Sequence, residues 1–199
     1  VDLMLTLFPF EEAIYREHNI PVSFVGHPKA MEIGPDEGLS NKAAARAALS
    51  LPDDANVVAL LPGSRSSEVA KSGPDFLAAA RLLKQKVDIF LVPAASPHRR
   101  SQIMQLLGDY ADLEQSVRVL SGDSKIAISA ADLVLVNSGT ATLEAMLLKR
   151  PMVMSYRIGS LGYLIVSRLV RVNLFALPNI LAQKKLIPEF IQDEANPEN

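Results

Sequence analysis

Apolar runs alternate with segments of helical period over most of the chain. From residue 56 onward, each run is apolar on both faces and is followed by a helix-forming segment of about ten residues. Strands of this kind are typical of a parallel sheet covered by helices on both sides. The pattern therefore predicts a doubly wound parallel α/β domain. Its predicted strands are 56–62, 88–94, 117–122, 132–136 and 151–156, and its predicted helices are 74–86, 98–110, 124–131 and 140–149.

A smaller strand-helix-strand unit precedes this domain. The same alternation predicts a strand at 2–8, a helix at 10–19 and a strand at 21–26. Residues 27–38 are rich in Pro and Gly and lack a period, which indicates a linker. Ser40 is then expected to cap the Ala-rich helix that follows.

These segments divide the chain into four expected parts. Residues 1–28 are the end of a preceding α/β domain, 29–39 a linker, 40–188 the main α/β domain and 189–199 the start of a truncated return segment. Because Val1 is not a methionine and opens directly on a strand, we also expect a chain cut at its N-terminus.

Composition excludes several classes of function. Lys and Arg number 20 against 22 Asp and Glu, so no global positive field favours nucleic acid, and no nucleic-acid partner is expected. The chain has no Cys and only three scattered His, which makes a His-based or thiolate metal site unexpected. No apolar run reaches about 18 residues, so a membrane-spanning helix is not expected.

One apolar tract is nevertheless suited to a membrane surface. Residues 159–172 combine an apolar face with Arg168 and Arg171. A basic amphipathic helix of this kind can lie in the interface of a bilayer that contains anionic lipid. The alternative is an ordinary helix packed on the sheet, and the pattern leaves both open.

Polar turns follow three of the predicted strands, at the sheet edge where doubly wound proteins bind ligands. In the turn after residue 136, Gly139 and Thr140 offer backbone N–H groups and the start of a helix, which suits a diphosphate. Glu144 follows about one helical turn later and is placed to accept hydrogen bonds from a ribose diol. The alternative is that Ser138 or Thr140 merely caps the helix and that Glu144 is a solvated charge.

The turn "PGSRSSEV" lacks the Lys and the spacing of a Walker A loop. Gly63 permits a tight turn, and Arg65 is placed to contact a phosphate. The alternative is a surface turn in which Arg65 pairs with Glu68. Asn179 is either a ligand-binding residue or a cap. Four further side chains are expected to be structural or solvated, namely His27, His98, Arg99 and Arg100.

Six motifs together resemble one family. The stretches "FPFEEAIY", "VSFVGHP", "LLPGSRSSEV", "NSGTATLEAML", "PMVMSYR" and "LPNILAQKKLIPEFIQDEANP" are similar, in order, to the lipid-A-disaccharide synthases. These are inverting glycosyltransferases of the two-domain GT-B architecture. The resemblance implies transfer of a diacylated glucosamine from its UDP donor to 2,3-diacylglucosamine 1-phosphate, which gives the lipid A disaccharide 1-phosphate and UDP.

The resemblance also implies where the protein acts and which residues serve it. Such enzymes are peripheral proteins on the cytoplasmic face of the Gram-negative inner membrane, and the whole enzyme can form a homodimer. Arg65 would stabilise the departing diphosphate, with Gly63 and Ser64 in the same turn. Ser138, Gly139 and Thr140 would cradle the diphosphate, Glu144 would hold the ribose, and Asn179 would lie near the nucleotide.

No general base is evident, and Glu11 is the sole acidic candidate near the end of an N-terminal strand. The base is therefore expected in an N-terminal part that this chain lacks, so the chain is expected to be inactive alone. No DxD carboxylate pair accompanies the phosphate turns, so no metal and no other cofactor is expected.

The sequence is also compatible with two other functions. Another UDP-sugar enzyme of the same architecture, such as a cell-wall N-acetylglucosaminyltransferase or a sugar-nucleotide 2-epimerase, would use the same turn and glutamate. A non-catalytic nucleotide-binding or membrane-docking module would bind UDP or lipid without turnover.

Overall fold

The computed structural model describes residues 1–157 and 174–199. The strands are β1 (Met4–Thr6), β2 (Val22–Phe24), β3 (Val57–Leu61), β4 (Ile89–Ala94), β5 (Val117–Ser121), β6 (Leu133–Val136), β7 (Met152–Tyr156) and β8 (Glu189–Ile191). The helices are α1 (Pro9–Glu17), α2 (Pro28–Glu32), α3 (Glu37–Ser40), α4 (Lys42–Ala48), α5 (Ser66–Leu83), α6 (Pro97–Leu107), α7 (Ser124–Ala130), α8 (Thr140–Leu147) and α9 (Leu177–Ala182).

Strands β3 to β8 form one sheet in the order β5-β4-β3-β6-β7-β8. Each neighbouring pair in this sheet is parallel. From β3 the chain runs outward through β4 to β5, and it then crosses to β6 on the other side of β3. The strand order therefore reverses between β3 and β6. The predicted fold class, a doubly wound parallel α/β domain, is confirmed.

The core consists of two apolar layers on opposite faces of the sheet. All five residues of β3 are buried, because helices cover both faces. Val57, Ala59 and Leu61 face a layer that includes side chains of α4, α7 and α8, whereas Val58 and Leu60 face side chains of α5 and α6. The alternation follows from the two-residue period of a strand. Helices α5 and α8 thus leave the reversal point on opposite faces.

The N-terminal unit has its own small parallel sheet, in which Met4 lies opposite Val22 and Thr6 opposite Phe24. Helix α1 joins the two strands. Glu11 accepts hydrogen bonds from the backbone N–H groups of Leu7 (3.1 Å) and Phe8 (2.8 Å). This carboxylate therefore stabilises the start of α1 in the manner of a capping box.

The predicted linker contains two short helices, α2 and α3. The prediction that Ser40 caps the Ala-rich helix is wrong, because Ser40 is the last residue of α3 and its hydroxyl donates to the carbonyl oxygen of Asp36 (3.1 Å). Asn41 takes the cap position of α4 and makes no side-chain capping bond. The short polar helix turns of this segment have no apolar period of their own, which is why the sequence pattern did not indicate them.

Two further boundaries differ from the predictions. Helix α5 begins at Ser66 and continues through Pro74, where the sequence pattern placed its start. Strand β8 was not predicted, and it pairs with β7 from Met154 opposite Glu189 onward. The sheet therefore continues beyond residue 188, where the return segment was expected to begin.

The amphipathic segment 159–172 lies outside the described residues. Among the residues that are described, no helix has the length and apolar character needed to cross a membrane.

Candidate functional site

A cavity of about 520 Å³ lies at the carboxyl ends of β3, β4, β5 and β6. Its position at the reversal of strand order is where doubly wound domains bind their ligands. The lining residues are Leu61, Gly63, Ser64, Arg65, Glu68, Pro93, Ala94, Ala95, Gly122, Asp123, Ser124, Asn137, Ser138, Gly139, Thr140, Ala141 and Glu144. The structure thus brings together seven of the eight sequence-predicted binding residues, and Asn179 is the exception.

The turn after β3 is organised by Glu68. Its Oε2 atom accepts hydrogen bonds from the backbone N–H groups of Ser64 (2.9 Å) and Arg65 (3.0 Å), and its Oε1 atom accepts one from Arg65 Nη1 (2.8 Å). Burial raises the pKa of the Glu68 carboxyl, but these hydrogen bonds and the guanidinium charge outweigh burial and hold the pKa below its ordinary value. The ionised carboxylate of Glu68 therefore caps the start of α5.

Arg65 pairs with Glu68, as the structural alternative predicted. The Arg65 side chain is nevertheless 81% exposed and lines the cavity. An exposed ion pair of this kind contributes little to stability, so the guanidinium can exchange Glu68 for a bound anion at small cost. The observed pair is compatible with either role.

Gly63 is required by this turn. Its φ is +127°, and a Cβ atom there would lie 2.5 Å from Glu68 Cβ. Gly63→Ala is therefore expected to lower the free energy of unfolding by about 1 to 2 kcal/mol more than Gly26→Ala does. Gly26 is a matched control, because its φ is +83° and a Cβ there meets no atom within 4 Å. Urea unfolding followed by circular dichroism measures the difference, and equal losses in the two variants would contradict this account of the turn.

The turn after β6 presents unpaired donors to the cavity. Gly139 is the N-cap of α8, with φ at +115° and no capping hydrogen bond from a side chain. The interpretation that Ser138 or Thr140 caps this helix is therefore wrong. Within residues 1–157 and 174–199, no atom accepts a hydrogen bond from the amides of Gly139, Thr140 or Ala141. These exposed N–H groups at a helix start are suited to an anionic oxygen.

Asn137 joins the two turns and was missed as a site residue. It is buried, and its Nδ2 atom donates to Pro62 O (2.9 Å) and Ser72 Oγ (3.3 Å). Its Oδ1 atom accepts from the N–H of Ser138 (2.8 Å). The only signal in the sequence was its place at the junction of β6 and the turn. Asn137 therefore fixes the turn after β6 against the turn after β3.

Glu144 is not a solvated charge. The residue is 5% exposed, and its Oε2 atom accepts a hydrogen bond from Ser124 Oγ (2.8 Å). Its Oε1 atom lies 3.4 Å from Lys29 Nζ. The charge of Glu144 is the largest influence on Lys29, and it raises the pKa of that ammonium above its ordinary value. Sequence reasoning missed both partners, which come from α2 and from the start of α7.

Asn179 is not among the described residues that line the cavity, and it is fully buried. Its Oδ1 atom accepts hydrogen bonds from the N–H groups of Leu186 (2.7 Å) and Ile187 (3.0 Å), and its Nδ2 atom donates to Ile187 O (3.0 Å). The side chain is thus used to hold the segment after α9. The observed hydrogen bonds of Asn179 are therefore structural, and its place near the nucleotide stays a prediction.

The remaining candidates are structural, as expected. His27 accepts a hydrogen bond from the N–H of Lys29 (3.1 Å) and caps α2. Arg99 donates to Gln102 (2.8 Å) at the start of α6. None of the three side chains from His98 to Arg100 lines the cavity. In the two described ranges, 1–157 and 174–199, no three His, Asp or Glu side chains are placed to hold a metal ion.

The cavity therefore has two chemically different ends. Hydrogen-bond donors lie at the start of α8, and a buried carboxylate lies about one turn deeper on the same helix. Among the lining residues that belong to the described ranges 1–157 and 174–199, Arg65 is the one cation, against the carboxylates of Glu68, Asp123 and Glu144. Such a cavity is not a general anion site. It suits a ligand that carries both an anionic group and hydroxyl groups.

Comparison with known proteins decides the family. The family model described as lipid-A-disaccharide synthetase matches residues 1–199, the whole chain. The chain belongs to the lipid-A-disaccharide synthetase family. The resemblance inferred from the six motifs is confirmed.

Curated members of the lipid-A-disaccharide synthetase family are similar over nearly all of this chain. The lipid-A-disaccharide synthase of Azotobacter vinelandii is 50% identical over 200 residues, which cover 99% of this chain and 52% of that protein. The one of Pseudomonas aeruginosa is 51% identical over 199 residues, which cover 99% of this chain and 51% of that protein. The chain thus spans about half the length of the curated relatives it matches.

Solved structures share the fold at low sequence identity. The structure of WaaG, a glycosyltransferase involved in lipopolysaccharide biosynthesis, aligns with a TM-score of 0.55 at 16% identity. The alignment covers 98% of this chain and 50% of that one. At this identity, the similarity shows that the two chains share a fold.

Proposed function

We propose that this chain supplies the sugar-nucleotide site of a lipid A disaccharide synthase. The donor would be a UDP-linked diacylglucosamine, and the acceptor would be 2,3-diacylglucosamine 1-phosphate. The reaction would release UDP and form the disaccharide 1-phosphate of lipid A biosynthesis. The membership of the family and the identity of about 50% to lipid-A-disaccharide synthases support this reaction over that of a cell-wall transferase, a 2-epimerase or a non-catalytic module.

The observation that carries the proposal is the pairing of donors and carboxylate in one cavity. The free amides of Gly139 and Thr140 would bind the diphosphate, and Glu144 would accept hydrogen bonds from the ribose hydroxyls. Thr140 and Glu144 are four residues apart on one helix, so their backbone positions are about 6 Å apart along its axis. A nucleoside diphosphate has its anionic and diol groups at a similar separation.

The chemistry needed from this domain is stabilisation of the leaving group. As the glycosidic bond breaks, negative charge grows on UDP. Donors that are already in place at the start of α8 favour this charge most in the transition state, which accelerates the step. Arg65 would turn from Glu68 to the diphosphate and add a cation at the same point.

The acceptor hydroxyl must also lose a proton to a general base. Glu11 is unsuited to this role, because its carboxylate is held by the N–H groups of Leu7 and Phe8 at the start of α1. We place the base in a part of the full-length enzyme outside these 199 residues.

The acyl chains of both substrates favour action at the cytoplasmic face of the inner membrane. The basic amphipathic residues 159–172 would bind this surface, and the full-length enzyme would act as a peripheral protein and a homodimer.

Calorimetric titration with UDP tests the nucleotide site. We expect a dissociation constant between about 1 μM and 1 mM, which corresponds to a binding free energy of about −8 to −4 kcal/mol. ADP and GDP at the same concentrations serve as controls for general diphosphate binding. Absence of UDP binding to protein with the circular dichroism spectrum of a folded α/β domain would contradict the proposal.

Arg65→Ala is expected to weaken UDP binding about tenfold, because the variant loses one charge-assisted hydrogen bond to the diphosphate. The affinity for uridine, which has no phosphate, is expected to stay unchanged. Arg99→Ala is the control, since Arg99 pairs with Gln102 and does not line the cavity. Parallel titrations with UDP and uridine measure the effect. A loss of uridine affinity equal to that of UDP would rule out a phosphate contact for Arg65.

A further inference from the structure

We infer that Ser124 is a positioning residue that turns the carboxylate of Glu144 toward the vicinal hydroxyls of a bound ribose. The inference rests on the proposed nucleotide site and adds to it the residue that makes the site selective for a ribonucleoside diphosphate.

The turn before α7 holds Ser124 in place. Gly122 has φ at +74° and Asp123 has φ at +58°, so two consecutive residues adopt the left-handed conformation. The Asp123 side chain accepts a hydrogen bond from the N–H of Ile126 (3.2 Å) and caps α7. From this capped turn, the side chain of Ser124, the first residue of α7, reaches Glu144 on α8.

The hydroxyl of Ser124 donates its hydrogen bond to Glu144. A serine has one O–H donor, and that donor points at Glu144 Oε2 with an oxygen-to-oxygen distance of 2.8 Å. The contact joins residues that are 20 positions apart, so it is a tertiary contact between α7 and α8. Both residues line the cavity.

The second contact of Glu144 is weaker. Lys29 Nζ lies 3.4 Å from Oε1 and also 3.4 Å from Glu32 Oε2, and the Lys29 side chain is 39% exposed. An ammonium acts as a point charge, so it compensates the carboxylate without fixing its plane. Without the Ser124 hydroxyl, the Glu144 carboxylate would therefore be free to rotate toward Lys29.

The oriented carboxylate matches a vicinal diol. A carboxylate has about four acceptor positions on its two oxygens, and Ser124 and Lys29 occupy one on each. Because Glu144 lines the cavity, the remaining position on each oxygen would receive hydrogen bonds from the ligand. Two neighbouring hydroxyls can donate to both oxygens at once only when the plane of the carboxylate is fixed. Ser124 thus determines how strongly the site distinguishes a ribose from a sugar that lacks these hydroxyls.

The test compares UDP with 2′,3′-dideoxy-UDP by titration calorimetry. The wild-type protein is expected to prefer UDP about tenfold or more. Ser124→Ala is expected to weaken UDP binding about five- to tenfold and to leave 2′,3′-dideoxy-UDP binding unchanged, so that the preference nearly disappears. Ser124→Thr keeps the hydroxyl and is expected to retain the preference. Ser101→Ala, whose hydroxyl donates to Pro97 O outside the cavity, is the matched control.

The outcomes separate the two claims. An equal loss for both nucleotides in Ser124→Ala would show a merely structural role and overturn the inference, as would an unchanged preference for UDP. If UDP binds and Ser124→Ala removes only the preference, both the site and the role of Ser124 stand. If the folded wild-type protein binds neither nucleotide, the proposed nucleotide site itself is wrong, and the role of Ser124 is wrong with it.

Discussion

Glu144→Ala is expected to weaken UDP binding about 10- to 100-fold, because the variant loses two hydrogen bonds from the ribose to a charged acceptor. The carboxylate is buried and already oriented by Ser124, so its orientation costs little when the nucleotide binds. Calorimetric titration with UDP measures the change. Binding of a nucleotide without the ribose hydroxyls is expected to improve or to stay the same, since no hydrogen bond is lost.

A second variant separates charge from hydrogen bonding. Glu144→Gln keeps one oxygen acceptor and the shape of the side chain, so it is expected to fall between the wild-type protein and Glu144→Ala. Glu114→Ala changes an exposed carboxylate outside the cavity and is expected to have no effect. UDP affinity that is unchanged in Glu144→Ala would remove Glu144 from the nucleotide site.

Arg46→Met is expected to lower the free energy of unfolding by about 3 kcal/mol or more. Arg46 lies on α4 and is 4% exposed. Its Nε atom donates to Ala130 O (3.0 Å), and its Nη2 atom lies 2.8 Å from Asp132 Oδ2. Asp132 also accepts a hydrogen bond from the N–H of Val57 (2.8 Å) at the start of β3. Methionine fills a similar volume but leaves the carbonyl oxygens of Ala130 and Asp53 without this donor and Asp132 without its buried cation, and these losses add up.

The matched control for Arg46 is Arg81→Met. Arg81 pairs with Asp112 at 3.2 Å, but its side chain is 58% exposed, so the expected loss is below about 1 kcal/mol. Urea unfolding of both variants, followed by circular dichroism, gives the two free energies. A loss for Arg46→Met no larger than that for Arg81→Met would contradict a central role of Arg46 in joining α4 to the sheet.

The sequence predicts the central strands of the sheet, because burial on both faces makes every position in them apolar. Strand β3 is apolar at every position because both faces are covered, and this signal is visible in any sequence of the type. Strand β8 has three half-buried residues that begin with Glu189, and it exists because β7 offers a free edge. Its pairing partner is far away in sequence, so the local pattern contains no corresponding signal. The same holds for α2, whose capping by His27 becomes apparent only in three dimensions.

The sequence was sufficient to predict the turns that line the candidate site, but not the tertiary contacts of their residues. The small polar residues after β6 indicated Gly139 and Thr140, because backbone access requires such residues next to a helix start. The partners of Glu144 were not predictable, since Lys29 is 115 positions away and approaches through the chain fold. For Asn179, the sequence motif is distinctive but does not reveal the hydrogen-bond partners. The side-chain oxygen of Asn179 accepts hydrogen bonds from the backbone N–H groups of Leu186 and Ile187.

The most direct test of the central claim is a crystal structure of this protein with UDP. We expect diphosphate oxygens within hydrogen-bond distance, about 2.7 to 3.2 Å, of the amides of Gly139 and Thr140. We also expect both ribose hydroxyls on the carboxylate of Glu144, with Ser124 still donating to Oε2. UDP bound elsewhere, or bound in this cavity with its ribose turned away from Glu144, would contradict the account.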